Sequence, residues 1–437
     1  MKKVALYTLG CKLNFSETSA IGKQFKNNGF DVVDFEHGAD VYVVNTCTVT
    51  ENAEKDCRQI VRRALRNNPQ AYVIVTGCYA QLRPDEIKKI EGVDLVLGSA
   101  EKFDLFSYTE NFEKKDLACI FVSPSGELTN SFGLASSTDA DTRTRAYYKI
   151  QDGCDYKCSF CTIPLARGKS RSLDPETAVL KFRELVEQGY KEIILTGVNV
   201  GDYGINYDTD LYKLLLRFLE TEGEYRIRIS SIEPNLLTDD ILKLTRDNEK
   251  MCRHFHIPLQ SGSQQILKLM QRRYKADYYR DLILRAKDIM PDLGIGIDVI
   301  VGFPGEGEKE FQETHDFLHA LPLSYLHVFT YSERPDTKAI EMPGKVDVFE
   351  RKNRNNILRN LSDKKKFEFY NSRLGSEEEV LFEEENHEGV MRGFSSNYIR
   401  VEQPYNSDYI NKLVKVKLSE TNGRIAKGQL LLPLEQI

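Results

Sequence analysis

The chain has 437 residues, 41% of them hydrophobic, which is enough to bury a large core over two or three domains. Its formal net charge of −6 argues against a protein that coats nucleic acid through overall basic charge. No apolar run is long enough to span a bilayer and no signal peptide is visible, so we expect a cytoplasmic protein without a membrane partner.

The N-terminal part alternates strand-like and helix-like segments. Four apolar runs predict strands, at 3–9, 40–44, 71–75 and 95–97. Helical stretches separate the first three strands, so we expect an open parallel α/β sheet in a domain of residues 1–122.

A second strand–helix series occupies the middle of the chain, in a domain that we place at residues 140–372. Its six predicted strands are 147–151, 193–196, 225–230, 254–257, 296–301 and 325–329. This alternation predicts a partial (β/α)6 barrel, whose functional residues would lie at the carboxyl ends of the strands. A helical stretch at 345–373, with nine Lys or Arg and four Asp or Glu, follows the last strand.

The remaining residues, 373–437, change character. Five short predicted strands with polar turns lie at 380–382, 389–394, 398–401, 413–418 and 428–432. They predict a small closed all-β barrel. The expected fold class is therefore α/β, with an all-β domain at the C-terminus.

Three of the nine cysteines, Cys154, Cys158 and Cys161, form a CxxxCxxC pattern after the first predicted barrel strand. We call them the rim trio. Thiolates are the usual ligands of iron–sulfur clusters, and three of them leave one iron of a [4Fe–4S] cubane open for another ligand. A structural zinc site is the alternative, but zinc prefers four ligands and no further Cys or His lies nearby.

An open iron at this rim can chelate S-adenosylmethionine (SAM), and three other strand ends offer polar or backbone contacts for it. Taken singly, each of these segments is more typical of a tight βα turn than of a ligand contact. Because all three lie at the same rim, we expect SAM contacts from Thr196, Gly197, Asn199, Ser231, Glu233, Val299 and Ile300.

Three further cysteines, Cys11, Cys47 and Cys78, each end a predicted strand of the N-terminal sheet. We call them the sheet trio. The carboxyl ends of parallel strands meet at one crevice, so these thiols can hold a second cluster with an open iron. For one such cysteine alone, a buried structural role is the alternative. Cys57, Cys119 and Cys252 lack the pattern and are expected to be bystanders.

Several segments resemble the radical SAM methylthiotransferase family. They are 10–14, 45–49 and 76–81 around the sheet trio, 151–164 and 167–172 around the rim trio, and 256–263 and 296–306. The tail resembles the family's TRAM domain, an RNA-binding β-barrel. The resemblance implies two [4Fe–4S] clusters and SAM, with Phe160 and Gln260 among the SAM contacts. It implies that the second cluster supplies the sulfur.

Within the family, segments 10–14 and 167–172 look most like the branch that methylthiolates C2 of N6-threonylcarbamoyladenosine at tRNA position 37, beside the anticodon. The alternatives are isopentenyladenosine in tRNA, a ribosomal protein side chain or, more distantly, a non-catalytic metal-containing RNA-binding protein. The implied partners are the tRNA anticodon loop and a small electron-donor protein of the flavodoxin or ferredoxin type.

Basic and aromatic side chains near these features are the expected RNA contacts. They are Arg143, Arg145, Lys169, Arg171, Arg334 and Phe394. The segment 331–339 departs from the family pattern, which usually has Gly where Asp336 stands, so the path of that loop is open.

Overall fold

The computed structural model describes residues 1–48, 53–109, 111–130, 132–133, 135 and 144–431. The expected RNA contact Arg143 and the last predicted strand residue, Leu432, lie outside these ranges. Among the described helices, none combines the length and the apolar composition that crossing a bilayer requires.

The N-terminal domain is a parallel six-stranded sheet in the order β2-β1-β3-β4-β5-β6. Its strands are β1 (Lys3–Thr8), β2 (Asp31–Val33), β3 (Val41–Thr46), β4 (Tyr72–Gly77), β5 (Leu95–Leu97) and β6 (Cys119–Phe121). Its helices are α1 (Lys12–Asn27), α2 (Ala53–Asn67), α3 (Cys78–Leu82) and α4 (Pro84–Lys88). Every residue of β3 and β4 is buried, because helices or loops cover both faces of the sheet.

The predicted open parallel sheet is confirmed, and it is larger than expected. The structure adds β2 and β6, one at each edge. Each has only three residues, which is too short for an apolar pattern to stand out.

The central domain has the predicted six parallel strands. These are β7 (Arg145–Lys149), β10 (Glu192–Thr196), β11 (Arg226–Ile229), β12 (His254–His256), β13 (Gly294–Val301) and β14 (Tyr325–Thr330). They form two three-stranded sheets, which isolated parallel bridges such as Ser231 to His256 connect. No ladder joins β14 to β7 among the described residues, so this curved wall is open on one side.

Helices cover the outside of this partial barrel. They are α6 (Pro175–Glu187), α7 (Leu211–Leu219), α8 (Asp239–Asp247), α9 (Gln264–Leu269), α10 (Ala276–Ile289), α11 (Glu308–Ala320) and α12 (Val348–Ser372). The short helix α5 (Ile163–Arg167), which follows the rim trio, packs instead on α3 of the N-terminal domain. The largest apolar core lies between helices and strands. The start of α6 shows why the sequence begins a helix there: Asp174 accepts a hydrogen bond from the Thr177 amide, and Pro175 occupies the first helical position.

The tail forms the expected closed barrel, in the order β15-β16-β17-β19-β18. Its strands are β15 (Glu377–His387), β16 (Val390–Ser395), β17 (Arg400–Pro404), β18 (Leu413–Thr421) and β19 (Ala426–Leu430). It packs against the amino ends of the central strands. There, Arg226 donates to the Phe394 carbonyl at 2.7 Å and Arg228 to the Ser395 carbonyl at 3.1 Å.

Candidate functional site

The rim trio lies on a loop at the carboxyl end of β7. A two-stranded ribbon of β8 (Gln151–Asp152) and β9 (Arg171–Ser172) holds the base of this loop. Gly153 has a φ of +73°, and a Cβ there would lie 2.0 Å from the Lys169 carbonyl oxygen, so only glycine fits the turn. The other end of the loop is held where the Ser159 amide donates to the Met270 carbonyl at 3.1 Å.

The thiols of the rim trio are mutually close and partly buried. Burial raises the pKa of the Cys154 thiol to about 12 and that of the Cys161 thiol to about 11. The neighbouring Cys158 also raises both pKa values. No disulfide joins them. Buried thiols of this kind ionise when a metal ion binds them, so the chemistry of the donor set fits a metal cluster.

The sheet trio comes together at the carboxyl edge of the N-terminal sheet. Cys11 follows β1, Cys47 follows β3 and Cys78 begins α3 directly after β4; these three strands are neighbours in the sheet. Burial raises the pKa of Cys78, which also senses the charge of Cys11. A Cβ on Gly10 would lie 2.6 Å from the Cys47 sulfur, so glycine at this position lets the carboxyl ends of β1 and β3 approach each other.

The two trios face each other across the interface between the N-terminal and central domains. Thr48, which follows Cys47, lies 3.3 Å from Thr162, which follows Cys161, measured between their hydroxyl oxygens. Arg334 lies near both trios: burial lowers its pKa, while Cys161 and Cys47 both act on that pKa in the opposite sense. The sequence predicted each trio separately, and the structure places them at one site.

A buried ion network joins the domains behind the sheet trio. Glu17 of α1 accepts from Lys102 at 2.6 Å, from Arg167 at 2.8 Å and from Lys149 at 3.4 Å. Asp152 is the second carboxylate, and it also pairs with Arg171 at 3.0 Å. Four cations therefore surround two carboxylates. Although burial opposes the charge of Arg167, Cys78 and the carboxylates hold its pKa well above the usual value.

The expected SAM positions at the end of β10 lie among buried polar groups. The Thr196 hydroxyl is buried and has no hydrogen-bond partner among the described residues. The Asn199 amide donates to Gln151 Oε1 at 2.9 Å, and a Cβ on Gly197 would lie 2.8 Å from that same oxygen. An unpaired buried hydroxyl at this rim fits a polar ligand.

Other expected SAM residues connect to the rim trio and to one another. Phe160 packs edge-on against Phe303, with ring centroids 6.3 Å apart, close to the partly buried Ile300. Gln260, with φ +74°, pairs with Val299 through a backbone bridge. The Val299 side chain points into the apolar core, so only its backbone faces the rim.

Arg272 is a site residue that the sequence reading missed. Its guanidinium donates to the Cys158 sulfur at 3.1 Å and pairs with Glu233. Although burial opposes its charge, Tyr274, Glu233 and Cys158 hold its pKa well above the usual value. Arg272 thus links an expected SAM residue to the rim trio. It follows the short helix α9, far from either motif in sequence, so no local pattern marked it.

The expected RNA contacts fall into different environments. Lys169 is exposed at the rim. Arg171 is buried in the ion network. Arg145 pairs with Glu383 of the tail barrel, and its guanidinium carbon lies 4.9 Å from the Phe394 ring centroid. The positions of Arg171, Arg145 and Phe394 favour structural contacts between domains.

The loop around Asp336 has a defined path. Asp336 has a φ of +66°, a conformation that favours glycine, and its carboxylate accepts from Arg83 of the N-terminal domain at 2.6 Å. The non-glycine residue therefore adopts the left-handed conformation and adds an ion pair across the domain interface. Of the three expected bystander cysteines, Cys57 and Cys252 are buried and Cys119 begins β6.

Two family models match the chain. The Radical SAM superfamily matches residues 148–318, and the Uncharacterized protein family UPF0004 matches residues 3–98. The first range includes the rim trio and the second includes the sheet trio.

Curated relatives align over nearly the whole chain. The threonylcarbamoyladenosine tRNA methylthiotransferase MtaB of Bacillus subtilis (strain 168) is 41% identical, covering 100% of this chain and 98% of that protein. The same-named protein of Aquifex aeolicus is 41% identical over 95% of this chain and 99% of its own length. The tRNA-2-methylthio-N(6)-dimethylallyladenosine synthase of Endomicrobium trichonymphae is 32% identical over 94% and 96%.

A solved structure shares the fold at low sequence identity. The radical S-adenosylmethionine methyltransferase TsrM from Kitasatospora setae, with cobalamin and a [4Fe-4S] cluster bound, superposes with a TM-score of 0.56. It is 15% identical, and the match covers 78% of this chain and 77% of that one.

Proposed function

Because the chain belongs to the radical SAM methylthiotransferase family, we propose that it attaches a methylthio group to C2 of N6-threonylcarbamoyladenosine at position 37 of tRNA. The observation that carries this proposal is the meeting of two separate cysteine trios at one domain interface. A radical enzyme that only abstracts hydrogen needs one such trio. A second trio beside it supports sulfur insertion, and the relatives at 41% identity support this adenosine as the substrate.

The proposal assigns one [4Fe–4S] cluster to the rim trio and another to the sheet trio, with SAM at the rim. The partly buried rim thiols, whose pKa values are raised at Cys154 and Cys161, and the unpaired Thr196 hydroxyl fit these groups. When bound, the clusters and SAM supply the radical and sulfur chemistry that replaces the C2 hydrogen by a methylthio group.

The protein's own side chains prepare this site in two ways. Arg272, which is paired with Glu233, donates to the Cys158 sulfur from the side of the expected SAM contacts. Behind the sheet trio, Arg167 and Lys102 put positive charge next to the Cys78 sulfur. A buried cation stabilises a neighbouring thiolate, so these residues favour the ionised form that binds iron.

The proposed partner is the anticodon loop of tRNA, with the target base turned out of its stack to reach the interface between the trios. The proposed contacts to the RNA are Lys169, which is exposed at the rim, and Arg334, which lies near both trios. Because the reaction consumes electrons, a small electron-donor protein of the flavodoxin or ferredoxin type belongs to the same proposal.

Nucleoside analysis tests the function. We expect a strain that lacks the gene to lose 2-methylthio-N6-threonylcarbamoyladenosine from its tRNA, measured by mass spectrometry. Reintroduced wild-type enzyme and its Cys119→Ala variant should restore the modified nucleoside, whereas the Cys47→Ala variant should not. An unchanged nucleoside in the deletion strain would refute the proposal. Loss of the dimethylallyl counterpart, or of a methylthio group on a ribosomal protein, would assign the chain to another branch.

A further inference from the structure

The inner wall of the central barrel carries a group of polar side chains that the cluster chemistry does not use. Alternation along β13 points Ile297 and Val299 into the apolar core and Asp298 to the inside of the barrel. Asp298 Oδ1 lies 3.0 Å from His256 Nε2 and 3.3 Å from His327 Nδ1. The three ligand atoms lie within 4.8 Å of one another.

The hydrogen-bond directions in this group follow from the charge of Asp298. Burial opposes ionisation, but His256 and His327 hold the pKa of Asp298 well below its usual range, so the carboxylate only accepts. Each imidazole therefore presents an N–H to the same oxygen. His256 uses its other nitrogen on the Ser231 hydroxyl, at 2.8 Å. His327 keeps its Nε2 for another partner, and its side chain is 53% exposed at the open edge of the barrel.

Aromatic rings form the floor next to His327. The Tyr325 ring lies 5.1 Å from the His327 ring and 6.1 Å from the Tyr398 ring, between centroids. His254 stacks on Tyr398 at 4.6 Å, and its Nδ1 is buried with no hydrogen-bond partner among the described residues. The floor thus presents aromatic rings next to His327, which suits a planar polar ligand.

Lys12 brings a positive charge to this floor from the N-terminal domain. It follows Cys11 directly, and its Nζ lies 5.8 Å from the Tyr398 ring centroid. Lys12 forms no ion pair with any residue that the structure describes, and it is exposed. The cation therefore lies beside the Tyr398 ring, on the residue that directly follows Cys11 of the sheet trio.

We propose that Lys12 and His327 bind the carboxylate of the amino-acid substituent on N6 of the target adenosine, with the urea group of that substituent beside the Tyr325 and Tyr398 rings. This inference rests on the proposed function and names the part of the site that reads the substrate. C2 and C6 of a purine both flank N1, so a base whose C2 faces the sheet trio carries its N6 substituent along the same edge. A residue next to Cys11 is within reach of that substituent.

The test compares two anticodon stem-loop RNAs that differ only in the substituent. One carries N6-threonylcarbamoyladenosine and the other carries its neutral carboxamide analogue. Dissociation constants for both RNAs, and for SAM, are measured with the anaerobically reconstituted full-length enzyme. The variants are Lys12→Met, Lys12→Arg and His327→Gln. Lys23→Met, an exposed lysine farther along α1, is the matched control.

We expect wild-type enzyme to prefer the carboxylate RNA by about tenfold or more, the usual effect of a charge-assisted hydrogen bond. Lys12→Met should remove most of this preference by weakening the binding of the carboxylate RNA alone, and Lys12→Arg should keep the preference. His327→Gln should reduce it, and Lys23→Met should match wild type. SAM binding should stay constant in all of them.

Three results would overturn the inference. In the first, Lys12→Met weakens the binding of both RNAs equally. In the second, it weakens the binding of neither RNA. In the third, it weakens only the binding of SAM, which would place the methionine carboxylate at Lys12. If wild-type enzyme methylthiolates the threonylcarbamoyl RNA without preferring the carboxylate, the inference fails and the proposed function stands. If it neither binds nor modifies that RNA, the proposed function fails as well.

Discussion

The buried ion network gives the sharpest stability prediction, through the substitution Glu17→Gln. The Glu17 side chain is fully buried and accepts from Lys102, Arg167 and Lys149. Removing its charge leaves four cations with Asp152 as their single carboxylate in this network. Removing one partner of a buried ion pair costs about 3–5 kcal/mol, because the other charges stay buried without compensation.

The loss should depend on pH in a defined direction. Burial opposes ionisation of Glu17, but Arg167, Lys102 and Lys149 hold its pKa well below the usual 4.5. A carboxylate with a lowered folded-state pKa stabilises the fold above its unfolded pKa, and this contribution disappears as pH falls through the folded value. The difference in stability between wild type and Glu17→Gln should therefore be full at pH 7 and shrink in acid.

Thermal unfolding, monitored by fluorescence at a series of pH values from 7 to the acid limit of solubility, measures both effects. The control is Glu176→Gln, which removes an exposed carboxylate that pairs with Arg217 at 2.7 Å; exposed pairs contribute little, so this variant should unfold like wild type. If Glu17→Gln unfolds no earlier than the control at pH 7, the buried network does not hold the two domains together and the reasoning is wrong.

Three further predictions concern the cysteine sites and the tail barrel. Replacing all three cysteines of the sheet trio by alanine should lower the reconstituted iron content from about eight to about four per chain, measured by colorimetric iron assay. Gly77→Ala should destabilise the N-terminal domain and reduce the iron content at the sheet trio. Gly77 has a φ of +98°, and a Cβ there would lie 2.3 Å from the Thr46 carbonyl oxygen. Thermal unfolding and an iron assay measure these two effects. Arg228→Met should speed hydrogen exchange at 394–398, because Arg228 donates to the Ser395 and Ser396 carbonyls; exchange in α6 should stay the same.

Much of this fold is visible in the sequence because its signals are local. The rim trio is contiguous, and an apolar run followed by a cysteine marks each member of the sheet trio. Parallel topology then brings the sheet trio together, since the carboxyl ends of neighbouring strands share an edge. The six central strands and the five tail strands also lie where apolar patterns predicted them, although β15 has 11 residues where the pattern predicted only 380–382.

The contacts that join the domains were not visible, for a physical reason. Glu17 and Arg167 are far apart in the chain, and an isolated charge in a sequence usually indicates an exposed position. Nothing local distinguishes Arg272 from a surface residue, and the pattern at 10–14 includes Lys12 without showing what its amine faces. Their roles depend on how the N-terminal sheet docks on the open side of the barrel, and that arrangement exists only in three dimensions.

The most direct test of the central claim uses the purified enzyme with both clusters reconstituted. It is incubated anaerobically with SAM, a reductant and an anticodon stem-loop that carries N6-threonylcarbamoyladenosine, and the RNA nucleosides are identified by mass spectrometry. We expect the 2-methylthio product with wild-type enzyme, and no such product when the sheet trio is replaced by alanine while SAM cleavage continues. Formation of the methylthio product without the sheet trio, or SAM cleavage by the wild-type enzyme with no product, would contradict a two-trio methylthiotransferase.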